Sequence, residues 1–175
     1  MKKYLAVSIL ASNNPTLFDE ITFLINKNES SIRDCRVTHM GSELAMHMLL
    51  AGNWSSIAKL ETQLAQLANK YSAQLITKRA DLSQENAETL PYIIQIFALD
   101  NPGIIYRLNQ FFLQQKIAIK TLACETYTSP DSSAITLNSI IKVSVPGNIQ
   151  IAEMRECFNV LCDELNLDAI LEPDK

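Results

Sequence analysis

The chain repeats itself, and no other feature limits its fold as strongly. Segment 4–32 lies on segment 91–119 without a gap. Pro15 falls on Pro102, and at the same offset of 87 residues Leu17 meets Ile104, Ile21 meets Leu108, Ile25 meets Phe112 and Ile32 meets Ile119. The match is in hydrophobic character and spacing more than in identity. Further on, Gly52-Asn53-Trp54 answers to Gly147-Asn148-Ile149 at an offset of 95. The second copy therefore holds eight extra residues, which fit best in the polar stretch Tyr127 to Ser133, a hairpin loop by composition. A chain of 175 residues suits one ordinary domain or two small ones, and the repeat decides for two.

Each copy reads as strand, helix, strand, strand, helix, strand. In the first, Tyr4–Leu10 is an apolar strand and Asn13-Asn14-Pro15-Thr16 a turn with capping character. Leu17, Ile21 and Leu24 recur at helical spacing. Residues 31–40 alternate imperfectly, Gly41-Ser42 makes a tight connection, and residues 43–51 return as a strand. Asn53 can cap the next helix, along which Trp54, Ile57, Leu60, Leu64, Leu67 and Tyr71 step by three or four. The second copy follows the same order. From Ile135 to Val145 its residues alternate with the period of a strand that has one buried face. Residues 80–90 are polar and unpatterned and read as a linker between domains 1–79 and 91–175. Each unit is expected to fold as a four-stranded antiparallel sheet with both helices on one face, an α+β architecture.

Charge excludes several functions. Residues 1–90 carry nine Lys/Arg and nine Asp/Glu, whereas residues 91–175 carry six and ten. Neither half has the basic excess that neutralising phosphates requires, so no direct nucleic-acid binding is expected. No apolar run approaches a membrane span, and the short apolar segment after Met1-Lys2-Lys3 does not read as a signal peptide, so a cytoplasmic protein without membrane contact is expected. Cys35, Cys124, Cys157 and Cys162 include no Cys-x-x-Cys pair and read as buried thiols. Four glycines leave no room for a phosphate-cradling loop, and no nucleophile elbow occurs. No catalytic set, metal site or cofactor is expected. His39, His47 and Cys35 would hold a metal only if they faced together, and their spacing does not force that. Trp54, Met46 and Met48 read as core, and Arg33 and Arg36 as a solvated strand.

A βαββαβ unit whose first strand ends in Asp-x-Pro-Gly resembles an ACT domain, a ferredoxin-like fold. Asp100-Asn101-Pro102-Gly103, following the strand Ile93 to Leu99, fits that pattern. Two such units in tandem resemble the glycine cleavage system transcriptional repressor family. The segments Met48 to Trp54, Arg33 to Arg36 and Phe158 to Asn166 are similar to that family too. The resemblance implies an accessory repressor rather than an enzyme. Its implied partner is the transcriptional activator of the glycine cleavage operon, and its implied signal a small amino acid such as glycine. Paired ACT units often dimerise, so a homodimer is also implied. A free ACT regulatory subunit that binds an amino-acid biosynthetic enzyme is the alternative.

The chemistry of such a site follows from the turn itself. A turn feeding a helix presents unpaired N–H groups and the positive end of the helix dipole, which match a carboxylate. Asp100 can pair with a ligand ammonium, Asn101 offers a donor and acceptors, and Gly103 permits close approach. Pro102 and Ile104 complete the candidate set in the second copy, and Asn13, Asn14 and Thr16 form that of the first. Asn-Pro before an apolar helix is equally an ordinary helix start. In the first copy the acid and the glycine of the pattern are absent, and β-branched Thr16 stands where close approach is wanted. Either its ligand differs or the copy is structural. In ACT domains the ligand commonly lies between two domains, which makes the strands around Ile32 and Ile119 candidates for an opposite wall.

Overall fold

The computed structural model describes residues 2–81, 88–128 and 133–174. The chain divides into two compact units, Met1–Gln84 and Glu85–Lys175. The first contains β1 (Lys3–Ser12), α1 (Pro15–Lys27), β2 (Ser31–Met40), β3 (Glu43–Gly52), α2 (Trp54–Lys70) and β4 (Gln74–Ala80). The second contains β5 (Thr89–Leu99), α3 (Ile104–Gln114), β6 (Ala118–Thr128), β7 (Ile135–Pro146), α4 (Ile151–Leu165) and β8 (Asp168–Pro173). Strand order is β2-β3-β1-β4 in one sheet and β6-β7-β5-β8 in the other, with every pairing antiparallel. β4 runs through Ala80 and β5 starts at Thr89, so both strands take residues from the stretch expected to link the units. The middle of that stretch, 82–87, and the centre of the expected hairpin loop, 129–132, lie outside the described residues.

Alternation builds each core. Leu5, Val7 and Ile9 of β1 and Leu44, Met46, Met48 and Leu50 of β3 point inward, where Leu17, Ile21 and Ile25 of α1 and Ile57, Leu60 and Leu64 of α2 cover them. In the second unit Ile94, Ile96, Ile141 and Val143 meet Leu108, Phe112 and Phe158. Phe111, Phe112 and Phe158 pack with ring centroids 5.5 to 6.5 Å apart. Each such side chain contributes about 1.5–3 kcal/mol of hydrophobic stabilisation, which offsets the entropy of ordering the chain.

The repeat holds down to single hydrogen bonds. α1 ends with Glu29 in the left-handed conformation and the Ser30 N–H on the Ile25 carbonyl. At an offset of 87, α3 ends with Lys116 left-handed and the Ile117 N–H on the Phe112 carbonyl. Ser72 and Asn166 close α2 and α4 in the same way. Each of the four described helices thus stops in a Schellman turn without glycine. The imperfect alternation of β2 also has a cause. Its register against β3 shifts between Ile32 and Asp34, so Arg33 is the extra residue of a β-bulge. β6 shifts between Ile119 and Thr121, which makes Lys120 the counterpart. A charged bulge on an edge strand discourages pairing with another chain.

Gly52 and Gly147, matched in sequence, share a steric reason. A Cβ on Gly52 would lie 2.6 Å from Ser30 Oγ. One on Gly147 would lie 2.9 Å from the Glu88 carbonyl oxygen, which accepts the Gly147 N–H at 2.7 Å.

Candidate functional site

The two turns occupy equivalent places and are built differently. In each unit the first strand ends beside the hairpin that joins the second and third. The Asn13 N–H donates to the Ser42 carbonyl at 3.3 Å, and the Asp100 N–H to the Ile135 carbonyl at 2.8 Å. In the first unit Asn14 is the N-cap of α1, and its Oδ1 accepts the Thr16 N–H at 3.0 Å. Pro15 then occupies the first helical position, where its missing N–H costs nothing.

In the second unit the helix begins two residues later relative to the matched proline. Gly103 is the N-cap of α3, left-handed at φ +99°, with no side-chain cap. Pro102 therefore lies outside the helix. No heavy atom lies within 4 Å of where a Gly103 Cβ would be. The Arg107 N–H reaches the Gly103 carbonyl at 2.9 Å, and the Ile104 N–H makes only a long 3.4 Å bond to the Asn101 carbonyl. Asp100, Asn101, Pro102 and Gly103 are exposed together at this corner. Ile104 differs from them: its side chain is in the core, 4% exposed, so only its backbone faces the turn. Asn13 and Thr16 are exposed and Asn14 half-buried.

Ile32 and Ile119, the candidates for a wall that a neighbouring domain would offer, lie away from the turn of their own unit. Ile32 pairs with Leu50, which pairs with Leu5 near the start of β1, whereas the turn follows the end of β1. Ile119 pairs with Val143, which pairs with Tyr92 near the start of β5. Neither isoleucine can line the turn of its own unit.

Other residues depart from what sequence suggests. Trp54 is 63% exposed rather than core, because it opens α2 one turn before the apolar stripe reaches the sheet; the Arg79 guanidinium lies 5.9 Å from its ring centroid. Met46 and Met48 are core. Of the four free thiols only Cys162 is buried. Cys35 is half-buried, Cys124 lies exposed on edge strand β6, and Cys157 faces solvent from α4. Burial, with the charge of Asp163, pushes the Cys162 thiol up to about 11. Cys35 and His39 pair with the inward residues Met48 and Leu44, whereas His47 sits on the outward face with Nδ1 2.9 Å from Ser8 Oγ. Among the described residues no group of three metal-ligating side chains comes together. Arg36 bridges to exposed Asp34 at 2.6 Å. Sequence reasoning had not singled out Glu20, which accepts from Lys70 Nζ at 2.7 Å and Tyr71 OH at 2.7 Å. Glu20 and Lys70 edge a groove of about 460 Å³ between α1 and α2 that also holds Phe23, Leu24 and Leu67. No described helix is long and apolar enough to cross a membrane.

Comparison with known proteins bears on this arrangement. Residues 3–77 match the family model of the ACT domain. A glycine cleavage system transcriptional repressor of Escherichia coli (strain K12) is 25% identical over 163 residues, covering 93% of this chain and 86% of that protein. The protein of the same name from Shigella flexneri aligns with the same figures. The crystal structure of a provisionally assigned glycine cleavage system transcriptional repressor superposes with a TM-score of 0.74 at 22% identity, covering 100% of this chain and 99% of that one. An unknown protein from Galdieria sulphuraria superposes at 0.80 with 18% identity and complete coverage of both chains. At these identities the two structures speak for the fold. Residues 3–77 match the ACT domain, the chain folds as two ferredoxin-like units in succession, and along nearly its whole length it is similar to glycine cleavage system transcriptional repressors.

Proposed function

We propose that the chain is an amino-acid-responsive transcriptional regulator rather than an enzyme. It acts by protein–protein contact with the activator of the glycine cleavage operon, and the turn before α3 receives a small amino acid such as glycine. The regulatory reading follows from the relatives, whose names state that role. The observation that carries the site is the open start of α3. Gly103 offers no side chain to the first-turn N–H groups, so these remain available to a ligand carboxylate at the positive end of the helix dipole. Asp100 and Asn101, both exposed beside it, supply a partner for the ammonium group and a neutral hydrogen-bonding side chain. The turn before α1 already uses Asn14 for this purpose, so the chain takes one ligand at α3 and none at α1.

Calorimetry with glycine tests the sensor. One site per chain is expected, weakened in Asp100→Ala, and no heat with glycine or any other amino acid would remove the sensor role. Co-elution with the purified activator tests the partner. A complex that glycine releases is expected, and its absence with and without glycine would remove the contact mechanism. In a gel shift the protein alone should give no specific complex; a salt-sensitive one would show that it reads DNA itself.

A further inference from the structure

The groove between α1 and α2 carries features that the fold does not ask for. The two helices run antiparallel along it, since Glu20 meets Lys70 while Asn28 Nδ2 donates to Gln63 Oε1 at 2.6 Å. Phe23, Leu24 and Leu67 form its apolar part, and Phe23 is 61% exposed there. A second recess, lined by Trp54, Ala58, Lys59 and Thr62, shares Gln63 and Gln66 with the first and continues it along α2. From Lys59 to Lys70 this surface runs roughly 16 Å, about three turns of a helix. The second unit has different residues at the matched positions. At the offset of 87, Gln110 stands for Phe23 and Gln114 for Lys27, and with Ser72 laid on Asn166, Glu153 stands for Lys59. Phe23 and the two lysines are therefore not needed to build a βαββαβ unit, and an aromatic ring left in water wants another reason.

The charge around the groove is positive. Glu20 is spent on Lys70 Nζ, at 2.7 and 2.9 Å, and on the Tyr71 hydroxyl. Among the described residues Lys59 has no carboxylate partner, nor has Lys27, whose Nζ lies 6.0 Å from the Phe23 ring centroid. Asp19 is turned about 100° round α1 from Glu20, away from α2. With Asp19 counted, Lys27, Lys59 and Lys70 still outnumber Asp19 and Glu20. Glu61 is held by Arg79 on the β4 side of α2, and Glu29 lies past the end of α1 in a separate recess with Lys2. An apolar strip bordered by unpaired cations matches an apolar strip bordered by acids.

We propose that this groove receives an acidic amphipathic helix of a partner protein. Apolar side chains one turn apart enter beside Phe23, Leu24 and Leu67, and carboxylates on the flanks of that helix meet Lys27 and Lys59. This deepens the partner contact proposed above and rests on it only in taking the occupant to be a protein. The surface is separate from the turn before α3, which belongs to the other unit, and does not depend on that turn binding anything.

Fluorescence anisotropy on the full chain tests this with two labelled peptides of about twelve residues, the length of the groove. Both carry leucine at i, i+4 and i+7; one has glutamate at the other positions and the second has lysine. The acidic peptide should bind, less tightly as salt rises, and the basic peptide should bind about tenfold more weakly or not at all. Phe23→Ser, and Lys27→Glu combined with Lys59→Glu, should each weaken the acidic peptide by about tenfold or more. All three side chains are exposed, so the circular dichroism spectrum should not change, and the lysine variant carries the test should Phe23→Ser fold poorly. Gln114→Glu, at the place in the second unit matched to Lys27, should leave binding as it is. No binding of the acidic peptide, equal binding of the basic one, variants that bind as the wild type does, or a loss of the same size in Gln114→Glu would each overturn the proposal. Glycine calorimetry on the lysine variant should match the wild type. Peptide binding without co-elution of the activator would remove the activator as the partner and leave the groove.

Discussion

Gly103 opens α3 where Asn14 opens α1, yet Asn14 satisfies its helix by accepting the Thr16 N–H at 3.0 Å and Gly103 has no side chain with which to do so. Asn14→Ala should cost about 1 kcal/mol of stability, the usual value of a cap, and leave the heat of glycine binding unchanged. Gly103→Val should weaken binding and also cost about 1–2 kcal/mol, because the left-handed φ of +99° disfavours any Cβ although no neighbour blocks it. Urea unfolding reads the stability terms and calorimetry the binding term. A glycine heat that falls in Asn14→Ala would contradict the asymmetry between the turns.

The two matched glycines should respond unequally to alanine. At Gly52 the nearest obstacle is Ser30 Oγ, a side-chain atom able to rotate away, with Ser56 Cβ next at 3.2 Å. At Gly147 it is a backbone carbonyl already engaged by the residue's own N–H. Gly52→Ala should cost about 1 kcal/mol and Gly147→Ala about 2–3 kcal/mol, at either end of the usual range for overpacking. Ser30→Gly should relieve the first in a double-mutant cycle. Equal costs at the two sites would contradict the steric account.

Glu29 and Lys116 hold left-handed conformations that glycine adopts without strain. Replacing either by glycine should raise stability by about 0.5–1 kcal/mol, the relief of αL strain less the added entropy of the unfolded chain. A lower midpoint in both variants would indicate that these side chains matter in ways the helix ends do not reveal.

Lys70 and then Tyr71, by hydrogen bonding, hold the Glu20 carboxyl below the ordinary glutamate value. Arg79 does the same for Glu61 through two bonds of 3.1 and 2.7 Å. A carboxyl lowered in the folded state contributes stability above its unfolded pKa and loses it as pH falls through the folded one. The stability difference between wild type and Glu20→Gln should therefore be constant above about pH 5 and shrink on acidification below the ordinary glutamate value of about 4.3. Urea titrations across that range provide the check, and a difference that grows towards acid would contradict the assignment.

Thiol labelling should sort the cysteines by environment. Cys124 and Cys157, both exposed, should react at once in the native protein. Cys162, buried and raised to about 11, should react only on unfolding, since the thiolate is the reactive form. Four thiols reacting together in the native state would contradict the placement of Cys162.

The hydrophobic periods alone determined that the chain is one βαββαβ unit used twice. Leu5 to Ile9 and Leu137 to Val145 alternate, Ile57 to Leu67 step by three and four, and a period is a local property that survives any rearrangement of its surroundings. Asn14 and Asn53 were legible as caps for the same reason, since a cap needs only its own next few residues. The tertiary structure alone decided what depends on neighbours distant in sequence. Trp54 is exposed because the apolar stripe of α2 meets the sheet one turn later, and Cys124 is exposed because β6 became an edge. The helix start that stays open was settled by the backbone. Pro15 and Pro102 match in the alignment, but the left-handed turn at Gly103 delays α3 past its proline and leaves that helix start without a side-chain cap.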